Sequence, residues 1–151
     1  MNITGLDNVI ANPEKYVEDI LEYGFQNIGD KKEMFVNIQP RDENDEFAKF
    51  VSKICWNHSI KSNIVVNSDI SRNMPDWDTS GGAAIAILYL SKEDDGKLVN
   101  SIFSEGDLVC NIYSKYNRAV FFGFMTKDIF QKFSKTNESR LCQIILLEEK
   151  P

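Results

Sequence analysis

Apolar positions along this chain follow two different spacings, and the change between them falls near residue 57. Ahead of that point the spacing is helical. Tyr16, Val17, Ile20 and Leu21 form one stripe, the three-and-four rhythm of a helix with one buried face. Its ends are marked in the sequence. Asn12 can cap it, Pro13 suits the first helical position and Glu14 meets the positive end of the dipole. Gly24 is a natural stop. A second helix follows an acidic, polar entry from Asp42 to Glu46. Phe47, Phe50, Val51, Ile54 and Cys55 fall at i, i+3, i+4, i+7 and i+8, the clearest helical pattern in the chain. Between the two, Met34 to Ile38 alternates and ends at Pro40, which predicts a short strand.

After Asn57-His58-Ser59 the pattern is that of strands. Ile64-Val65-Val66 is a short β-branched run. Ala83 to Leu90 is an unbroken apolar run of strand length, bounded by Thr79-Ser80-Gly81-Gly82 before and by Ser91 to Gly96 after. Such a run predicts a central strand buried on both faces. Asp94-Asp95-Gly96 signals a turn, with Lys97 to Phe103 as the partner strand of the central one. Ser104 to Asp107 turns again, and Leu108 to Tyr113, Ala119 to Phe124 and Leu141 to Leu147 complete the set. Helices come first, then six or seven strands with short connections. That order predicts an α+β domain with its helices against one side of an antiparallel sandwich or barrel. There is no internal repeat, low-complexity segment or linker.

Composition narrows the function classes. The chain has 151 residues, one domain over 1–151, and a domain of this size buries about two-thirds of its unfolded surface. A net charge of −6 and a pI near 4.8 argue against nucleic acid or an anionic membrane as the main partner, since both call for a basic patch. No apolar run reaches the roughly 18 residues of a membrane span, and Met1 to Gly5 carries no signal-peptide pattern. Three cysteines, Cys55, Cys110 and Cys142, have no paired spacing and read as reduced thiols in a cytoplasmic protein. The richness in Ile, Asn and Lys suits an AT-rich bacterial or viral coding sequence.

Candidate chemistry gathers at the entrance to the central strand. Asp76 and Asp78 stand at i and i+2, on one face if that segment is extended. Four places in the chain then resemble the 2-oxoglutarate and iron(II)-dependent oxygenases of the prolyl-4-hydroxylase-like branch. Asp7-Asn8-Val9-Ile10-Ala11-Asn12-Pro13-Glu14 resembles the entry of small members. Ile85 to Leu90, followed by a glycine turn, resembles the I-L-Y-L strand. Lys115-Tyr116-Asn117-Arg118-Ala119-Val120-Phe121-Phe122 resembles the strand leading to the distal iron histidine. Ser139-Arg140-Leu141-Cys142-Gln143-Ile144 resembles the strand whose arginine grips the far carboxylate of 2-oxoglutarate. The resemblance implies a double-stranded β-helix, jelly-roll-like, with two N-terminal helices packed on one sheet. It implies Arg140, Tyr89 and Asn117 as ligand-binding residues.

The chain departs from that family at the metal. The family holds iron with two histidines and one carboxylate. Asp78 matches the carboxylate, Asp76 stands where the first histidine belongs, and the segment Gly123 to Asp128 has no histidine. The single histidine of the chain is His58, read as a helix-end residue outside the motif. Asp76, Asp78 and Asp128 are then either an all-oxygen site for a hard cation or a solvated polar loop. Arg140 binds a carboxylate or forms a structural ion pair. Gly81-Gly82 reads as a hinge, Cys142 as core, and Trp56 and Trp77 as packing residues. The reading is a non-catalytic binding or regulatory module that has lost iron. No cofactor is expected beyond weak 2-oxoglutarate or dicarboxylate binding, and a basic protein surface is the expected partner. The alternatives are an enzyme with a carboxylate metal site and a structural or assembly scaffold.

Overall fold

The computed structural model describes residues 3–27, 36–69, 83–92, 99–104, 107–125, 129–133 and 139–151. Asp76, Trp77, Asp78, the Gly81-Gly82 and Asp94-Asp95-Gly96 turns, and Asp128 lie outside them. In chain order the elements are β1 (Ile3–Leu6), α1 (Pro13–Tyr23), β2 (Gln26–Asn27), β3 (Val36–Pro40), α2 (Glu46–Ile54), β4 (His58–Asp69) and β5 (Ala83–Tyr89). They continue with β6 (Val99–Ser104), β7 (Asp107–Tyr113), β8 (Ala119–Met125), β9 (Ile129–Phe133) and β10 (Ser139–Glu149). A seven-stranded sheet runs β1-β8-β5-β10-β4-β3-β2, and a three-stranded sheet runs β7-β6-β9. No helix among the described residues is long and apolar enough to cross a membrane.

The helices begin and end where their capping residues stand. The Asn12 side chain accepts from Lys15 N at 3.2 Å, and Pro13 has no N–H to leave unsatisfied in the first turn. Gly24 stops α1 at φ +85° while its N–H donates to Ile20 O at 3.3 Å, a conformation that favours glycine. Asp45 caps α2, its Oδ1 accepting from Ala48 N at 2.8 Å.

β5 lies between β10 and β8, and its side chains sort by parity. Ala84, Ala86 and Leu88, with Leu90 just beyond the strand, join a core cluster containing Tyr16 and Ile20 of α1 and Phe47, Ala48 and Val51 of α2. Ile85, Ile87 and Tyr89 join a second cluster with Cys142, Ile144, and Cys110 and Ile112 of β7. The helices therefore cover one face of the large sheet and the small sheet faces the other. The two-residue period of a strand produces this sorting, and cover on both faces explains the unbroken apolar run. Small alanines on the helix side let α1 and α2 approach the sheet.

Several expectations are corrected. The strand read over Lys97 to Phe103 does not pair with the central strand: β6 pairs with β7 and β9 in the small sheet. A turn signal shows that the chain reverses but not which sheet receives it. The Ile64-Val65-Val66 run is the middle of a 12-residue strand, whose polar ends hid its length. His58 does not end α2 but opens β4. Trp56 is 73% exposed and is not a packing residue, and Leu21 and Ile54 also face solvent. β1, β2 and β9 were not anticipated, being too short or too mixed in polarity to show a period.

Candidate functional site

One end of the large sheet brings three of the sequence candidates near one another. Cys142 of β10 pairs with Tyr89 of β5, and the backbone of Arg140 pairs with Ser68 of β4. Tyr89 is buried at 2% exposure in the cluster between the sheets. Its N–H donates to Arg118 O at 2.9 Å and its carbonyl accepts from Asn117 N at 2.9 Å. Asn117 sits in the turn before β8 at φ +64°, a conformation asparagine tolerates better than most residues. Its Oδ1 accepts from Ile10 N at 2.8 Å and its Nδ2 donates to Ile10 O at 2.9 Å. Asn117 thus ties the loop before α1 to the end of β5, which gives it a place in the scaffold of this end.

At the opposite end of the same strands the described chain breaks off toward the segments that contain the acidic candidates. Ala83 of β5 pairs with Met125 of β8. Asp78 precedes Ala83 by five residues and Asp128 follows Met125 by three. Asp76, Asp78 and Asp128 themselves lie outside the described residues. Among the described residues, no group of three or more His, Cys, Asp or Glu side chains gathers in a way that could hold a metal ion. His58 Nδ1 lies 2.9 Å from Asn57 Oδ1. Its near neighbour Ile60 packs on the helix-side cluster, so His58 belongs to the junction after α2. The two-histidine donor set of an iron(II) site does not fit a chain with one histidine.

A buried polar network on the helix side holds β10 in place. Gln143, fully buried, donates from Nε2 to Asp45 Oδ2 at 3.0 Å and Asn63 Oδ1 at 2.8 Å, and accepts from the Tyr16 hydroxyl. Asp45 Oδ2 also accepts from Arg41 Nε at 3.3 Å and Asn63 Nδ2 at 3.2 Å. The Arg41 guanidinium lies 5.4 Å from the centre of the Tyr16 ring. Burial pushes the Tyr16 hydroxyl well above its usual range and the nearby Asp45 adds to this, so the group stays protonated and donates. Buried Gln39 donates to Ile20 O and Gly24 O, both at 2.8 Å, fixing the end of α1 on β3. Sequence reasoning missed this network. The available signal was Gln143 itself, a polar residue inside the apolar run Leu141 to Leu147.

A second charged group stands at the edge of the large sheet. Asp7 accepts from Arg118 Nε at 2.7 Å and from Lys115 Nζ at 3.2 Å. The Arg118 hydrogen bond, with help from Lys115, holds the Asp7 carboxyl below the usual carboxylate range. The cysteines are arranged differently. Burial raises the Cys110 and Cys55 thiols, and Cys142 is buried. Shielding of this kind keeps a thiol protonated and poorly nucleophilic.

No family model matches the chain, and no curated protein sequence does. Solved structures match its fold. A prolyl hydroxylase from Trichoplax adhaerens, in complex with a hypoxia inducible factor oxygen degradation domain peptide fragment, superposes with a TM-score of 0.69 at 11% identity, covering 97% of this chain and 83% of that one. A viral collagen prolyl hydroxylase from Paramecium Bursaria Chlorella virus-1, in its 2OG complex, gives 0.66 at 10% identity, covering 100% and 97%. A Pseudomonas putida prolyl-4-hydroxylase gives 0.60 at 9% identity, covering 99% and 93%. The chain has the double-stranded β-helix fold of these 2-oxoglutarate-dependent oxygenases. At such identities the likeness is one of fold, and fold alone assigns no activity.

Proposed function

We propose that this protein is a non-catalytic binding or regulatory module on the oxygenase fold. It takes a dicarboxylate of the 2-oxoglutarate type weakly through Arg140, and it works without iron. The observation that carries this reading is the single histidine, His58, set against Asn57 at the junction after α2. Ferrous iron in this fold calls for two imidazoles. The strand register supports the carboxylate part. Position 140 is two residues from Cys142, which pairs with Tyr89 in the cluster between the sheets, so the strand period puts position 140 in phase with that cluster. An arginine there can meet a carboxylate with its planar fork, and its weak hydration tolerates burial. With no metal to chelate the keto-acid end, binding is in the millimolar range, worth about 4 kcal/mol. Succinate should bind about as well, since only one carboxylate is read. The net charge of −6 favours a partner protein with a basic surface.

A second reading rests on the pairing of Ala83 with Met125. It brings together the strand ends from which the segments with Asp76, Asp78 and Asp128 depart, so those carboxylates could serve a hard cation such as Mg²⁺, Mn²⁺ or Ca²⁺. Elemental analysis after anaerobic iron loading, with an assay for succinate formed from 2-oxoglutarate, tests the proposal. It expects far less than one iron per chain and no turnover. About one tightly held iron per chain, or turnover near 1 per second, contradicts it.

A further inference from the structure

We propose that the outer edge of β1 docks an extended, uncharged peptide segment of a partner protein, with one aliphatic side chain seated over Gly5. β1 ends the large sheet and β7 ends the small one. Among the described residues, no strand lies on the outer side of β1. β1 pairs with β8 in antiparallel register, from Ile3 opposite Phe122 to Leu6 opposite Ala119. Alternate residues of such a strand bond the neighbour, and the others turn their N–H and C=O groups away from it. A row of this kind is answered in register by another main chain. Charged side chains and proline are what commonly close a sheet edge, and Ile3-Thr4-Gly5-Leu6 contains neither. Thr4, Gly5 and Leu6 are exposed, so an incoming strand reaches the edge from solvent.

The side chains beside this edge set what the incoming strand carries. Ile3 and Gly5 share one face by the two-residue period, and Ile3 packs in the cluster between the sheets, so this face looks toward β7. There a cavity of about 210 Å³ is lined by Ile3, Gly5, Asp7, Ile112, Arg118 and Val120. Ile112 and Val120 belong to the same cluster as Ile3, so the floor is apolar. A Cβ at Gly5 would meet nothing within 4 Å, which leaves room beside β1 for a side chain that β1 itself lacks. A dry apolar cavity of about 150 Å³ holds benzene, so the space takes a leucine side chain. The lining contains one acid and one base, Asp7 and Arg118, paired to each other at 2.7 Å. By charge it favours neither an anion nor a cation, and a charged side chain would gain nothing there for the desolvation it costs. A free aliphatic molecule would fill the floor but leave the outward N–H and C=O groups of β1 to water. An extended peptide with alternate aliphatic residues answers both, its main chain on the edge and one side chain in the cavity.

The test is an NMR titration of the wild type and Gly5→Val with the hexapeptide Thr-Val-Thr-Leu-Thr-Val, acetylated and amidated at its ends. The peptide should shift the Ile3, Ile112 and Val120 methyl signals saturably, with a midpoint at or below about 1 mM, and should slow hydrogen exchange at alternate amides of β1. Two versions methylated on alternate backbone nitrogens, one for each edge of the peptide strand, separate strand pairing from plain apolar contact. One should bind at least about tenfold more weakly because its N–H groups toward β1 are blocked, and the other should stay within about threefold. Lysine in place of the peptide's leucine should weaken binding by about tenfold or more. Gly5→Val, whose branched side chain suits a strand and occupies the cavity, should weaken it by about tenfold. Any one of five results overturns the proposal: no saturable shift in the wild type, equal affinity of the two methylated versions, undiminished binding of the lysine peptide, undiminished binding to Gly5→Val, or a wild type that sediments as a dimer and excludes the peptide. The last would give the edge to a second copy of the chain. The methylated peptides are read on the wild type, so the pairing stays testable if Gly5→Val fails to fold.

Discussion

Gln143→Leu is the substitution whose cost follows most directly from the structure. The side chain is fully buried at the middle of β10 and makes three hydrogen bonds, to Tyr16, Asp45 and Asn63. Leucine nearly matches its shape and removes all three. The Tyr16 hydroxyl and Asn63 Oδ1 then lose this partner inside the protein, at about 1–3 kcal/mol each. Asp45 keeps Ala48 N, Arg41 Nε and Asn63 Nδ2, so its charge is not stranded. The added apolar burial offsets about 1–2 kcal/mol. The net loss should be about 2–4 kcal/mol, a large part of the 5–15 kcal/mol typical of a domain. Urea denaturation followed by circular dichroism measures it. Tyr16→Phe alone should cost about 1–2 kcal/mol by leaving Gln143 Oε1 short of a donor. The double variant should cost less than the sum by about 1–2 kcal/mol, because removing the hydroxyl removes the group that Gln143→Leu strands. A Gln143→Leu loss below about 1 kcal/mol, or additivity within about 0.5 kcal/mol, would refute the network as a coupled unit.

Three further outcomes follow from packing, backbone and charge. Phe47→Ala should cost about 3–5 kcal/mol in the same denaturation assay. Phe50→Ala should cost less, about 1–3 kcal/mol, because Phe50 is only partly buried, its ring 6.3 Å from that of Phe121; a reversed ranking contradicts the placement of α2. Gly24→Ala should lower stability by about 1 kcal/mol, since alanine is strained at φ +85°, and a stabilised variant contradicts the assigned cap. Asp7 has a folded-state pKa lowered by Arg118 and Lys115. Its contribution is therefore full above the unfolded value of 3.8 and is lost as pH falls through the lower folded value. With the carboxylate 36% exposed the effect should stay under about 1 kcal/mol, and Asp7→Asn should flatten that part of the acid limb of a stability–pH curve.

How much was legible in the sequence depended on how local the cause was. The α1 boundaries could be read because Asn12, Pro13 and Gly24 act within a turn of themselves. β5 could be read because burial on both faces leaves an unbroken apolar run. Sheet membership could not be read for residues 97–103, because pairing is decided by segments far away in the chain. The exposure of Leu21 and Ile54 was hidden for a related reason: a helical stripe shows which face is apolar but not how much of it the opposing sheet covers. Of the candidate site, Arg140 and Tyr89 were singled out by motif order, and the register of β10 pairs Cys142, two residues on from position 140, with Tyr89. Asn117 was singled out through resemblance, and its hydrogen bonds to Ile10 place it in the scaffold of that end. Asp7 and Arg118 were quoted within motifs, but their ion pair spans 111 positions and no local rule connects them.

A calorimetric titration of 2-oxoglutarate into the wild type and Arg140→Met, each with and without iron(II) under anaerobic conditions, separates an iron-free dicarboxylate module from an iron enzyme. The wild type should show one weak affinity in the millimolar range, unchanged by iron, matched by succinate and lost in Arg140→Met. Tightening by about tenfold or more on adding iron would contradict this, as would wild-type affinity retained in Arg140→Met.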